Sequence, residues 1–209
     1  MSRRRDHHLL LRSDEMMLAV APDLPKQIKD LMFNIERSIR YHSRRQAFFE
    51  MFDAVVNTSN LILGSGAVLA LISDRVENWV LGILSAIVAI VSFVNLTMRS
   101  AERSALHSQL KQRFMGLLKR IKRLDHNASD CAALLRKCEE KRLDIEREEP
   151  PIYRMVDILA HNEQCRAQGE KDDCIYYVHP LKVLTANLWR YETDDLKTVE
   201  QVAKEKAKL

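Results

Sequence analysis

Glycine and proline are scarce, with five of each in 209 residues. That scarcity excludes collagen-like and low-complexity disordered chains. It also leaves too few tight turns for an α/β nucleotide-binding enzyme. Cysteine numbers only four, too few for a disulfide scaffold in a chain this long, and the four read as reduced cytosolic thiols. Neither sign of charge is in large excess. Thirty-three Lys and Arg against 29 Asp and Glu leave +4, from which nucleic-acid binding does not follow. The sequence has no G-x-x-x-x-G-K-[ST], H-E-x-x-H or G-x-S-x-G. Gly64-Ser65-Gly66 lies inside an apolar run, the wrong context for a phosphate loop. No enzyme activity, catalytic residue, metal or cofactor is expected.

One local absence organises the chain. Charged residues make up 30% of it, yet residues 54–73 and 79–98 contain none. About 20 apolar residues span the hydrocarbon core of a bilayer. The linker Asp74-Arg75-Val76-Glu77-Asn78 can close a helical hairpin and little else. Trp79 stands where an interfacial aromatic belongs. The bland alternative is a buried hairpin in a soluble bundle, but soluble core helices normally keep a polar face. Arg37, Arg40, Arg44 and Arg45 precede the hairpin. Arg99, Arg103, Lys111 and Arg113 follow it, and the linker carries only Arg75. The positive-inside rule therefore predicts a multi-pass protein with both termini in the cytoplasm. Arg40, Arg44, Arg45, Arg99 and Arg103 are assigned to topology and headgroup contact.

The expected class is an all-α membrane protein, a transmembrane hairpin with long cytoplasmic helices forming a bundle. Residues 1–22 are a flexible segment; Arg3-Arg4-Arg5 before the short run Leu9 to Leu11 is no secretory signal. Residues 23–53 form an amphipathic helix, with Asp23 as a plausible N-cap, Pro25 just inside, and Ile28, Leu31, Ile35 and Ile39 at helical spacing. The hairpin occupies 54–98. A long heptad helix follows over 99–149. Its a positions are Phe114, Ile121, Ala128 and Leu135; its d positions are Leu110, Leu117, Leu124, Cys131, Cys138 and Ile145. The seam Phe114, Leu117, Ile121, Leu124, Cys131, Leu135 and Cys138 is expected to join subunits, with the 23–53 helix as the other possible partner. Arg120 with Asp125 and Lys141 with Glu146 have the spacing to pair across it. Glu148-Glu149-Pro150-Pro151 ends the helix. Short helices fill 150–209: one closed by Gly169, one starting near Leu181, with Thr193 as a further cap.

The spans carry polar stripes. Asn57, Asn60 and Gly64 share one helical face, and Ser85, Ser92 and Asn95 share another. Gly66-x-x-x-Ala70 and Gly82-x-x-x-Ala86 allow close helix approach. Asn57, Asn60, Gly64, Gly66, Ser85, Ser92 and Asn95 are thus pore-lining or helix-packing candidates. Cys131 and Cys138, about two helical turns apart, are too far from each other to hold one ion, even with His126 or His161. Cys165, Cys174, His161 and His179 form a looser set without ligand spacing. Asp194-Asp195 suits a helix start.

Arg40-Tyr-His-Ser-Arg-Arg-Gln-Ala-Phe-Phe-Glu50 and Leu63-Gly-Ser-Gly-Ala67 resemble the SLATT family, as do Glu149-Pro-Pro-Ile-Tyr-Arg154 and Leu159-Ala-His-Asn-Glu163. The likeness runs over roughly residues 25–190. SLATT proteins are bacterial two-transmembrane modules found with nucleotide-second-messenger synthases, reverse transcriptases and similar partners in conflict systems. The resemblance implies a homo-oligomeric, pore-forming antiviral effector of the bacterial inner membrane. It would depolarise an infected cell when triggered by a partner enzyme or a nucleotide second messenger. The rival expectation is a non-conducting scaffold anchored in the lipid bilayer. Its C-terminal helices would recruit a cytoplasmic partner.

Overall fold

The computed structural model describes residues 24–73, 77–125, 128 and 130–208. The expected flexible segment 1–22 and the cap at Asp23 lie outside these. All regular structure among the described residues is helical, apart from one isolated bridge between Tyr176 and Thr198.

Helix α1, Leu24–Ser73, runs unbroken for 50 residues, about 75 Å at 1.5 Å per residue. No proline or glycine falls between Lys26 and Leu63 to interrupt it. Helix α2, Asn78–Met98, packs back along its outer part. Arg99 joins α2 to α3, Ser100–Ile121, in the left-handed region at φ 47°. Its N–H bonds to the Asn95 carbonyl, closing α2, while its own carbonyl accepts from Arg103 N–H in the first turn of α3. A non-glycine residue there costs about 1–2 kcal/mol, so the corner is held by its surroundings.

The heptad reading needs two corrections. The helix expected over 99–149 is broken: α3 ends at Ile121 and α4, Cys131–Arg147, begins after a turn. The intervening sequence is rich in Asp, Asn and Ser, residue types that in general compete with helix by offering the backbone other hydrogen bonds. The seam also finds its partner within the chain. Leu110, Phe114, Leu117 and Ile121 of α3 and Cys131, Leu135, Cys138 and Ile145 of α4 form one buried cluster with Ile28, Leu31 and Ile35 of α1; Leu124 packs against its edge. α3 runs antiparallel to α1, and α4 turns back alongside both. Ala128, assigned to a seam position, lies in the turn instead. Glu146 pairs with Arg142 rather than Lys141.

Helix α5, Arg154–Ala167, lies on another side of α1. Met155, Val156, Leu159 and Ala160 are buried there with Tyr41 and Ala186. Gly169 closes α5 as its position predicts. It sits at φ 69°, its N–H bonds to the Arg166 carbonyl, and Glu170 N–H bonds to that of Cys165 at 2.9 Å, the double bond of a Schellman stop. Gly169→Ala is expected to destabilise the protein by about 1–2 kcal/mol through backbone strain, measured as a shift in urea midpoint.

Two short helices finish the chain, α6 at Pro180–Thr185 and α7 at Val199–Lys206. The last cap is Thr198 with Gln201, a reciprocal capping box, and not Thr193. Asp194 therefore lies outside a helix start and pairs with Arg154 at 3.7 Å. Buried Asn162 ties this region to α5: its amide donates to the Tyr176 carbonyl and its Oδ1 accepts from Tyr176 N–H.

Candidate functional site

Three features stand along α1. At the outer end, α1 and α2 present an apolar surface with little covering. Leu61, Ile62, Trp79, Ile90, Phe93 and Leu96 are each at least 63% exposed. A segment within the run that starts at Trp79 is long and apolar enough to cross a membrane, and none of it is buried.

The predicted polar stripes divide across this helix pair. Asn60, Gly64 and Asn95 are half-buried, whereas Asn57, Gly66, Ser85 and Ser92 are exposed. Asn60 Oδ1 is buried without a partner. The Ser85–Ser92–Asn95 line therefore does not turn toward α1 as a unit. A Cβ added at Gly64, Gly66 or Gly82 would meet nothing within 4 Å. These glycines are not sites of close approach within one chain, and their flat faces remain open to another helix.

Where the pair enters the bundle, a polar collar forms. Asp53 Oδ2 accepts from Asn57 Nδ2 at 3.0 Å, and Asp53 Oδ1 accepts from the Ser100 hydroxyl at 2.9 Å. Asn95 also meets that hydroxyl, 2.8 Å away. One turn further in, Gln46 Nε2 donates to Glu50, and Ser104 Oγ donates to the same carboxylate. The collar ties the α2–α3 corner to α1 through polar side chains of five residue types.

Below the collar lies a pair of histidines that composition and motif did not reveal. His42 is 0% and His107 2% exposed. Their Nδ1 atoms are 2.9 Å apart, and His42 Nε2 is 3.1 Å from Glu149 Oε1. One tautomer assignment satisfies both contacts: His107 Nδ1–H donates to His42 Nδ1, and His42 Nε2–H donates to Glu149. Phe49 stacks on His107 at 5.8 Å and Phe114 on His42 at 5.6 Å. Burial, with His42, Arg45 and Arg103 nearby, depresses the His107 pKa to about 3. A signal did exist in the spacing. The alternating steps of three and four that link Ile28, Leu31 and Ile35 continue to His42, Arg45, Phe49 and Val56, all buried.

The basic cluster before the hairpin has a different place from the one its sequence position suggested. Arg40 donates to Gln164 at 2.7 Å, Arg44 pairs with Glu163, and Arg37 pairs with Asp157. Arg45 is only 3% exposed. It donates to the Asn187 carbonyl and side chain at 2.9 and 3.1 Å, between the rings of Phe49 and Tyr153. Arg40, Arg44 and Arg45 thus fasten α5 and the C-terminal segment to α1, with Arg45 buried and Arg40 and Arg44 half-exposed. Arg103 lies over the Phe49 ring, and Arg99 stays exposed beside Glu102.

Cys131 and Cys138 are core residues. Cys165 Sγ lies 3.3 Å from His161 Nε2, but burial pushes the thiol pKa up, away from a reactive thiolate. His179 caps α6 through Nδ1 and stands apart from them. Among the described residues no group of His, Cys, Asp and Glu could hold a metal ion. No family model matches the chain, and no curated protein or solved structure matches it.

Proposed function

We propose that α2 and the outer part of α1 form a transmembrane hairpin. Several copies associate through it, and the assembly opens a water path when triggered. The carrying observation is the exposed apolar surface of α2. Its 21 residues measure about 31 Å at 1.5 Å per residue, the thickness of a hydrocarbon core. Two helices per chain cannot enclose a path, so the conducting form is an oligomer. The outward Asn57, Ser85 and Ser92 and the open faces of Gly66 and Gly82 support copies meeting there. The SLATT resemblance supports an effector of bacterial antiviral defence at the inner membrane. Both termini lie in the cytoplasm, and a partner enzyme or nucleotide second messenger is the trigger. No catalytic step belongs to this function.

A second reading, the membrane-anchored scaffold, is favoured by a groove of about 650 Å³ between α3 and α5. Ile39, Ala47, Met115, Leu118 and Ala167 give it an apolar lining fit for a partner helix. Induced expression separates the two. The effector arrests growth and collapses the membrane potential, read with a potential-sensitive dye. Ser92→Leu should suppress the collapse while oligomer size on cross-linking is retained, because a hydrophobic constriction dewets a pore. Full expression without depolarisation favours the scaffold. Reporter fusions at both ends should be active only in their cytoplasmic forms, and release of the protein without detergent would refute the membrane reading itself.

A further inference from the structure

Among the described residues outside the α1–α2 pair, the three most exposed large apolar side chains lie in one stretch near the C-terminus, with Leu188 beside them. Leu184 is 78%, Leu181 67%, Trp189 65% and Leu188 52% exposed. From Cys174 to Tyr191 the chain holds two basic residues, Lys182 and Arg190, and no acidic one, although its net charge is only +4. Leucine, tryptophan and scattered basic residues without acids are the composition of a segment that lies in a lipid interface.

The structure holds this stretch beside the part of α1 that leads to the hairpin. Arg45 bonds to Asn187, and Arg190 lies over the Tyr153 ring that also covers Arg45. Ala186 is fully buried and anchors the stretch from beneath. Arg45 precedes Asp53 by eight residues, about 12 Å of helix. The headgroup layer on each side of a bilayer is about 5–8 Å thick. The stretch thus lies beside α1 a little over two helical turns from the surface that the hairpin would enter.

We propose that residues 181–190 dock on the surface of an anionic bilayer, with Leu181, Leu184, Leu188 and Trp189 inserted at the headgroup boundary and Lys182 and Arg190 on lipid phosphates. The segment is a second membrane contact, fastened to α1 by the buried Arg45. It holds the bundle close against the bilayer. This rests on the transmembrane reading of α1 and α2, and the experiment keeps the two apart.

The chain has two tryptophans, Trp79 and Trp189, so each can be read alone. Full-length W79F and W189F proteins are reconstituted in phosphatidylcholine–phosphatidylglycerol vesicles, with and without lipids brominated near the headgroup end of their acyl chains. In W79F, Trp189 emission should fall by about half or more with brominated lipid, since an interfacial ring sits about 5–10 Å deep. L184D in the same background should abolish that quenching and red-shift the emission. Trp79 quenching in W189F reports the hairpin by itself. Trp79 quenched and Trp189 unquenched but open to iodide overturns the docking proposal and leaves the hairpin standing. Trp189 shielded from iodide yet unquenched by bromine means that protein, such as a second copy, covers the patch, and also overturns it. Loss of Trp79 quenching refutes the hairpin reading on which the proposal rests.

Discussion

Phe114→Ala is expected to cost the helical bundle about 3–5 kcal/mol, the usual range for emptying a fully buried aromatic site. The ring is 0% exposed. It fills the core between α1, α3 and α4 and stacks on His42. Two losses therefore combine: apolar surface returned to water and a cavity beside a buried polar pair. Total stability of a domain is about 5–15 kcal/mol, so the variant should be largely unfolded at moderate urea. Leu143→Ala is the control. Leu143 is 52% exposed on α4, and its truncation should stay within about 0.5 kcal/mol. Urea unfolding in detergent, followed by helical circular dichroism, reads both. Equal midpoints for the two variants would show that the α3 seam is not packed as described.

Acid is expected to unfold the bundle in a window set by His107. Its pKa is about 3 in the folded protein against 6.5 in an exposed chain. The unfolded state therefore binds a proton that the folded state refuses. Stability is intact above about 6.5 and is lost as pH falls toward 3, with a slope of up to about 1.4 kcal/mol per pH unit for one proton. Glu148, held low by Arg113, acts in the same sense. Asp157, whose pKa burial raises, acts in the opposite one and gains stability as pH falls. Both remain in a His107→Gln variant, which keeps a donor for His42 Nδ1 but cannot titrate. The pH slope of the urea midpoint between 6.5 and 4 should be shallower in that variant. Identical slopes would remove His107 as the acid-sensitive group. The buried pair would then take up protons without loss of packing.

The helical class, the charge-free runs at 54–73 and 79–98, and the stop at Gly169 are local properties, and the sequence determined them. Apolar spacing likewise marked which side chains of 110–145 are buried, because a helix of known pitch puts them on one stripe. It did not say what covers that stripe. Periodicity is the same for a seam between subunits and a seam within one chain, and only the three-dimensional packing of Ile28, Leu31 and Ile35 against it decided for the latter. The break after Ile121 escaped for a related reason. Leu124, Cys131 and Cys138 keep heptad spacing through the turn, so the pattern hides it. Charge hid a second role. A basic run before an apolar segment reads as topology, but Arg40, Arg44 and Arg45 are engaged by Gln164, Glu163 and Asn187, more than a hundred residues away. His42 and His107 meet across 65 positions. No local rule couples such distant residues. The depressed pKa of His107 depends on burial and on neighbours within a few ångströms, which only the tertiary structure supplies.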